Sequence, residues 1–193
     1  MRNEIFIDPQ TIKDRTGLHA NVDDKLIISE IRDAQNMFIM PLLGSNLFLR
    51  LQEGIDADDL TTDETNLLDN FITDALVYYT LSQLPSGLSY QFYNKGMIRK
   101  SSDNTDIPSA SELVDMSERF MTRAEFYGKR LVGELKQNAS EKYPLYLNPG
   151  TGLDTIHPDR EPYKSSIYLG DYGDGGNCIG IVERYQGENG LCC

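Results

Sequence analysis

Apolar residues recur at helical spacing in three long stretches of the chain. In the first, Leu26, Ile27, Ile31, Ala34 and Phe38 lie one, three and four apart, the stripe of a half-buried helix. Asp23 or Asp24 can accept hydrogen bonds from the free N–H groups of its first turn, and their charge suits the positive end of the helix dipole. Pro41 lacks an N–H and crowds the preceding turn, which predicts an end or kink near Met40. Gly44 then allows a left-handed turn into a shorter helix over 46–52. Two helices joined by Pro41-Leu42-Leu43-Gly44 are expected to make a rigid corner on which the rest packs.

The second stretch follows an acidic loop over 53–59. Thr61 and Glu64 have the spacing of a capping box, so a third helix is expected to start there. Leu67, Leu68, Phe71, Ile72, Ala75, Leu76, Tyr78 and Tyr79 give it an apolar face running down to Leu84, and Pro85-Ser86-Gly87 is expected to end it. A helix apolar over so much of its circumference belongs at the centre, with neighbours on two sides. In the third stretch Ser109 and Glu112 repeat the capping box. Leu113, Met116, Phe120, Ala124, Tyr127, Leu131 and Leu135 then form a stripe along a helix from Ala110 to Gln137, roughly 40 Å long. This Met and aromatic stripe reads as core rather than as a cofactor box. Asp115 with Arg119 and Glu125 with Lys129 sit at i,i+4 on the outer side.

Between the last two helices the period changes to two. Leu88, Tyr90 and Phe92 alternate with Ser89, Gln91 and Tyr93, Asn94-Lys95-Gly96 is turn chemistry, and Met97, Ile98 and Arg99 return. A projecting hairpin over 88–100 is expected, and two strands alone need something to lean on. The protein's own helices or an adjacent subunit could supply it, which makes Tyr90, Phe92, Lys95, Met97, Ile98 and Arg99 candidate partner contacts.

The ends differ from the middle. Residues 1–21 read as an arm, with Ile5-Phe6-Ile7 as an apolar anchor for the protein's own core or a neighbouring copy. Residues 139–193 read as an extended arm rich in Gly and Tyr, with too few aliphatics from Thr151 onward to form a core alone. Tyr168, Tyr172 and Tyr185 are candidate anchors onto a partner, because Tyr offers large contact area with few rotatable bonds. Ile179 and Ile181 could add a strand to a partner's sheet edge. The expected fold is mainly α, with four principal helices in 22–138, one projecting β-hairpin and the extended C-terminal arm.

Composition narrows the function classes. With 193 residues the chain is long enough for a real core, and 39% hydrophobic and 25% charged residues suit a globular protein. No apolar run approaches the roughly 20 residues needed to cross a bilayer, and no signal-peptide pattern opens the chain, so no membrane role is expected. A net charge of −12 argues against a broad grip on nucleic-acid phosphates. No Lys or Arg falls between Arg50 and Lys95, while Glu53, Asp56, Asp58, Asp59, Asp63, Glu64, Asp69 and Asp74 do. That block is either a solvated face or a patch for a basic partner.

Catalysis finds no support. The three cysteines, Cys178, Cys192 and Cys193, form no Cys-x-x-Cys, and His19 and His157 lie far from them in sequence, so neither a zinc site nor a cofactor is expected. Asp171, Asp174 and Asn177 lack the ligand spacing and closing Glu of a calcium loop. No P-loop or nucleophile elbow occurs. A hydrolase using the Gly-rich loop and a metal is the least favoured reading.

One stretch carries a family likeness. Asp23-Asp24, the aliphatics after them, Ala34-Gln35, Pro41-Leu42-Leu43-Gly44 and Leu47-Phe48 resemble the helical head–tail connector (adaptor) proteins of tailed bacteriophages, closest to those of Bacteroidetes and crAss-like phages. With the later helices the likeness spans 22–137. It implies a structural virion protein, not an enzyme, made in the host bacterial cytoplasm and placed in the head–tail neck. It further implies a ring of identical copies, twelve in the family's usual ring, docked under the portal protein and against further neck or tail rings. Duplex DNA would pass through the lumen without tight binding. The long C-terminal arm exceeds what a compact connector needs. The competing reading is a small cytosolic helical module that recognises a basic partner through the 50–95 acidic block.

Overall fold

The computed structural model describes residues 4–93, 96–99 and 109–158, all of which belong to one compact unit, Met1–Pro162. The helices are α1 (Pro9–Arg15), α2 (Asp24–Ala34), α3 (Met40–Leu43), α4 (Ser45–Ala57), α5 (Thr62–Leu67), α6 (Thr73–Ser89), α7 (Ala110–Asn138) and α8 (Pro144–Leu147). The fold is mainly helical. Its centre is α6, packed against α2 on one side and α7 on another. Ala75, Leu76, Val77, Tyr79, Leu81 and Leu84 of α6 are all buried, as the breadth of its apolar face requires.

Two π-helical turns extend these helices beyond the expected boundaries. The first, Gln35–Ile39, joins α2 directly to α3, so the helix does not end at Met40 but runs through Pro41 to Leu43. The Met40 N–H reaches back to the Gln35 carbonyl, one residue further than an α-turn. That wide turn lies just ahead of Pro41, where the missing N–H and the ring would otherwise disturb the ladder. The stop is Gly44, at φ 78° and ψ 160°, a conformation essentially reserved for glycine and not the αL turn expected. The second π-turn, Leu68–Ile72, joins α5 to α6. Its Leu68 carbonyl takes both the N–H and, at 2.8 Å, the hydroxyl of Thr73.

Other boundaries shift for similar reasons. The expected acidic loop over 53–59 is mostly the end of α4, which closes only at Asp58 in the left-handed region (φ 54°, ψ 42°). Pro85 does not end α6, which continues to Ser89 and takes in Leu88 and Ser89 of the expected strand. The caps behave as their chemistry demands. Asp23 accepts from the Lys25 N–H at 3.0 Å, and both Thr61–Glu64 and Ser109–Glu112 close reciprocal capping boxes. Residues Tyr90–Tyr93 (β1) and Gly96–Arg99 (β2) pair antiparallel, Tyr90 with Arg99 and Tyr93 with Gly96.

Both ends of the described chain fold onto the body. Phe6 and Ile7 are buried, and the Phe6 ring packs on Phe48 at 5.2 Å. The arm is held by two buried glutamines. Gln35 accepts the Phe6 N–H and donates to the Glu4 carbonyl, both at 2.9 Å, and Gln52 donates to the same carbonyl at 3.1 Å. This matches the core alternative for Ile5-Phe6-Ile7. The expected extended arm from residue 139 is, as far as Pro158, a packed return. Ala139, Tyr143 and Tyr146 are buried, and α8 lies on α4. Ser45 donates its N–H to the Ile156 carbonyl at 3.0 Å and accepts the Ile156 N–H at 2.8 Å. The Pro158 ring fills the space where a Cβ on Gly44 would stand. The corner at Gly44 is thus covered by the chain's own later residues.

Candidate functional site

Among the described residues no group of three or more His, Cys, Asp or Glu could hold a metal, and no helix is long and apolar enough to cross a membrane. The chemistry on offer is that of a surface. Three carboxylates of the acidic block, Asp59, Glu64 and Asp74, are engaged in ion pairs within the chain. Arg50 binds Glu64 at 3.0 Å and Asp59 at 2.8 Å, clamping the α4–α5 connection to α4, and these hydrogen bonds, from Asp59 first and then Glu64, push its pKa further up. Asp74 takes Arg15 at 2.6 Å and Arg130 at 3.5 Å. Glu53 and Asp58 stand exposed near the end of α4.

The α6–α7 seam is aromatic. Tyr78 stacks on Tyr127 at 5.3 Å, with rings 3° from parallel, and Phe38 stacks on Tyr79 at 4.5 Å. Gly128 is what lets Tyr79 reach α7, since a Cβ there would stand 2.9 Å from the Tyr79 hydroxyl. Burial first, and then the charge of Glu125, raises the pKa of that hydroxyl. Tyr143, beside Asp63 and Glu134, is pushed up to about 12 by burial first and those two carboxylates next. Both tyrosines act here as neutral packing groups.

Toward its N-terminus α7 loses its cover. From Ala124 onward Ala124, Gly128, Leu131, Val132 and Leu135 are buried, whereas no residue from Ala110 to Arg123 is. Met116, expected in the core stripe, is 44% exposed, Val114 54% and Phe126 65%. An open groove of about 480 Å³ lies beside this half of the helix, walled by Leu18, Leu81, Leu84, Leu88 and Phe120, with Arg123 at its edge. Neither expected i,i+4 pair closes into an ion pair among the described residues. Arg123 instead lies over the Tyr78 ring at 5.9 Å and Arg130 over Phe71 at 4.9 Å.

Met116, Arg119, Arg123, Phe126 and Arg130 all stand exposed, spaced three, four, three and four along α7. That spacing keeps them in one row on the helix surface. The sequence reading missed this row, because it followed the neighbouring core stripe and used Met116 there. The signal was present as Phe126 and three arginines repeating one ridge over. Of the residues proposed as partner contacts, Tyr90 and Phe92 lie in β1 and Met97, Ile98 and Arg99 in β2. Lys95, Tyr168, Tyr172, Ile179, Ile181 and Tyr185 lie outside the described residues, as do the three cysteines.

Comparison with curated proteins and with solved structures finds no match. A family model does match, over residues 39–156, from within the first π-turn to the Ile156 contact with Ser45. The matched span includes the Gly44 corner, α4 to α8 and the exposed row on α7, and covers more than half of the chain. The chain belongs to that family, DUF6712, a family of unknown function.

Proposed function

We propose that this chain is a structural virion protein whose copies form a ring, of twelve in the reading favoured by its likeness to head–tail connectors, below the portal of a tailed phage. In this reading it joins head to tail, contacts the portal and further neck rings, lets duplex DNA pass, and has no catalytic role. The observation that carries it is the uncovered half of α7. Val114 and Met116 stand exposed there, and Phe126 just beyond it, beside an open groove walled by apolar side chains. Large apolar side chains grouped with arginines on one exposed helix suit a surface that a protein partner covers.

The module that binds a basic partner draws less support. Asp59, Glu64 and Asp74 are already matched by Arg50, Arg15 and Arg130 within the chain. The test mixes the purified chain with the portal of its own virion and follows co-sedimentation. The connector reading expects a stable complex of ring stoichiometry, and failure to bind the portal or any other neck component would remove it. With a charge of −12 the lumen is expected to be acidic or neutral, so the isolated chain should not hold duplex DNA tightly. Tight, salt-sensitive DNA binding would contradict the free-passage reading.

A further inference from the structure

We infer that the turn Gly152–Thr155 seats Leu153 of one copy in the open groove beside α6 and α7 of the next, with Asp154 against that copy's Arg123. This deepens the ring reading by naming the surfaces through which copies meet. It rests on that reading only for the closing of successive copies into a ring.

Leu153 is fully exposed, more so than any other large apolar side chain among the described residues. It is also held in place. The Thr155 N–H donates to the Gly152 carbonyl at 3.2 Å, which makes Leu153 and Asp154 the two central residues of a turn. On one side of that turn Asn46 donates to the Asn148 carbonyl at 2.7 Å, Pro149 is buried, and Gly150 bends the chain at φ 114°. On the other side Ile156 is bonded to Ser45 in both directions and Pro158 is buried. An aliphatic knob pinned at both flanks loses little freedom when it docks.

The groove selects its occupant. Its walls of Leu18, Leu81, Leu84, Leu88 and Phe120 enclose about 480 Å³ and suit an aliphatic side chain. Of the two guanidinium groups that line it, Arg15 already holds Asp74 at 2.6 Å. Arg123 lies over Tyr78 and makes no ion pair among the described residues, so its charge is open to a carboxylate. The fitting occupant is an aliphatic residue with a carboxylate beside it. Val114, Met116 and Phe126 stand on α7, which itself walls the groove. Of the exposed large apolar residues away from α7, which are Met37, Leu49, Leu147 and Leu153, only Leu153 has an acidic neighbour in sequence, the exposed Asp154. Because Leu153 is fully exposed, it does not fill the groove of its own chain. The pairing is therefore between copies, and as a heterologous contact it closes into a ring when the rotation allows.

Sedimentation equilibrium of the full chain, taken to millimolar concentration, tests this. The wild type should self-associate. Leu153→Ser should weaken association at least about tenfold, with Tm unchanged because the side chain is not packed in its own chain. Asp154→Arg and Arg123→Glu should each weaken it about three- to tenfold. The two changes in one chain should restore it, since every joint then pairs opposite charges again. A wild type that stays monomeric throughout would overturn the joint, as would a Leu153→Ser chain that associates like the wild type or a double variant no better than either single one. Loss in Arg123→Glu with Leu153→Ser and Asp154→Arg unaffected would also overturn it, by giving the groove to a different occupant. Assembly that stops at a dimer, each copy filling the other's groove, with the charge swap restoring it, would support the joint and contradict the ring. Portal binding is scored separately, so the joint can fail while the connector reading survives.

Discussion

Glu30 shows how one side chain can work against its surroundings. It is half-buried on α2, with its carboxyl close against Gly87 of α6, in the space a Cβ there would take. Burial first, and then the nearby Asp33 charge, raises its pKa above the ordinary 4.5. A carboxyl raised in the folded state contributes most below the unfolded value, and the contribution is lost as pH rises through the folded value. At neutral pH the charged Glu30 is therefore a liability. Glu30→Gln should raise Tm at neutral pH, and the gain should vanish as pH falls below the ordinary carboxyl range. An equal gain at all pH values would mean that ionisation is not the cause. The two α7 glycines make a paired test. Gly133 has open space where a Cβ would go, so Gly133→Ala should stabilise by about 0.5–1 kcal/mol. Gly128→Ala must displace the stacked Tyr79 ring and should cost about 1–2 kcal/mol despite its better helix propensity. Thermal unfolding of both variants separates packing from propensity.

At the scale of elements, caps and apolar stripes were legible, and stops at proline were not. Thr61–Glu64, Ser109–Glu112 and Asp23 mark helix starts because each satisfies a backbone N–H locally. Pro85 was misread as an end, and at Pro41, read as an end or a kink, the end does not occur, because tertiary packing outweighs the single ladder bond each removes. The π-turn before Pro41 is a register change that no apolar spacing announces. Pro41→Ala should therefore leave the angle between α3 and α4 unchanged, since Gly44 sets it; an altered angle in the variant's structure would contradict this. Phe38 is half-buried and stacked on Tyr79, not fully enclosed. Phe38→Ala should cost about 2 kcal/mol, below the range for a fully buried Phe. An unchanged Tm would mean that the stack contributes nothing.

At the scale of the whole molecule, the helical class and the central place of α6 could be read from amphipathic breadth, because burial on two sides demands it. The return of 139–158 could not, because Tyr143, Tyr146, Ile156 and Pro158 are too sparse to form a stripe and reach the core through single contacts. The exposed row on α7 was hidden by its neighbour. Ending the chain after Pro149 removes the Ile156–Ser45 bonds and the Pro158 cover of Gly44. That should cost about 2 kcal/mol, or roughly 4–8 °C in Tm for a chain of this size, against a chain ended at Pro162. No difference between the two would mean that the return adds nothing to the body.

The central claim is that copies of this chain close into a ring against a portal. Electron-microscopic class averages of the purified chain mixed with the portal of its own virion test it most directly. The account predicts an added ring of density on one face of the portal, with an open centre and a mass of several copies. Portal particles unchanged by an excess of the chain, or decorated by it irregularly with no closed ring, would contradict the account.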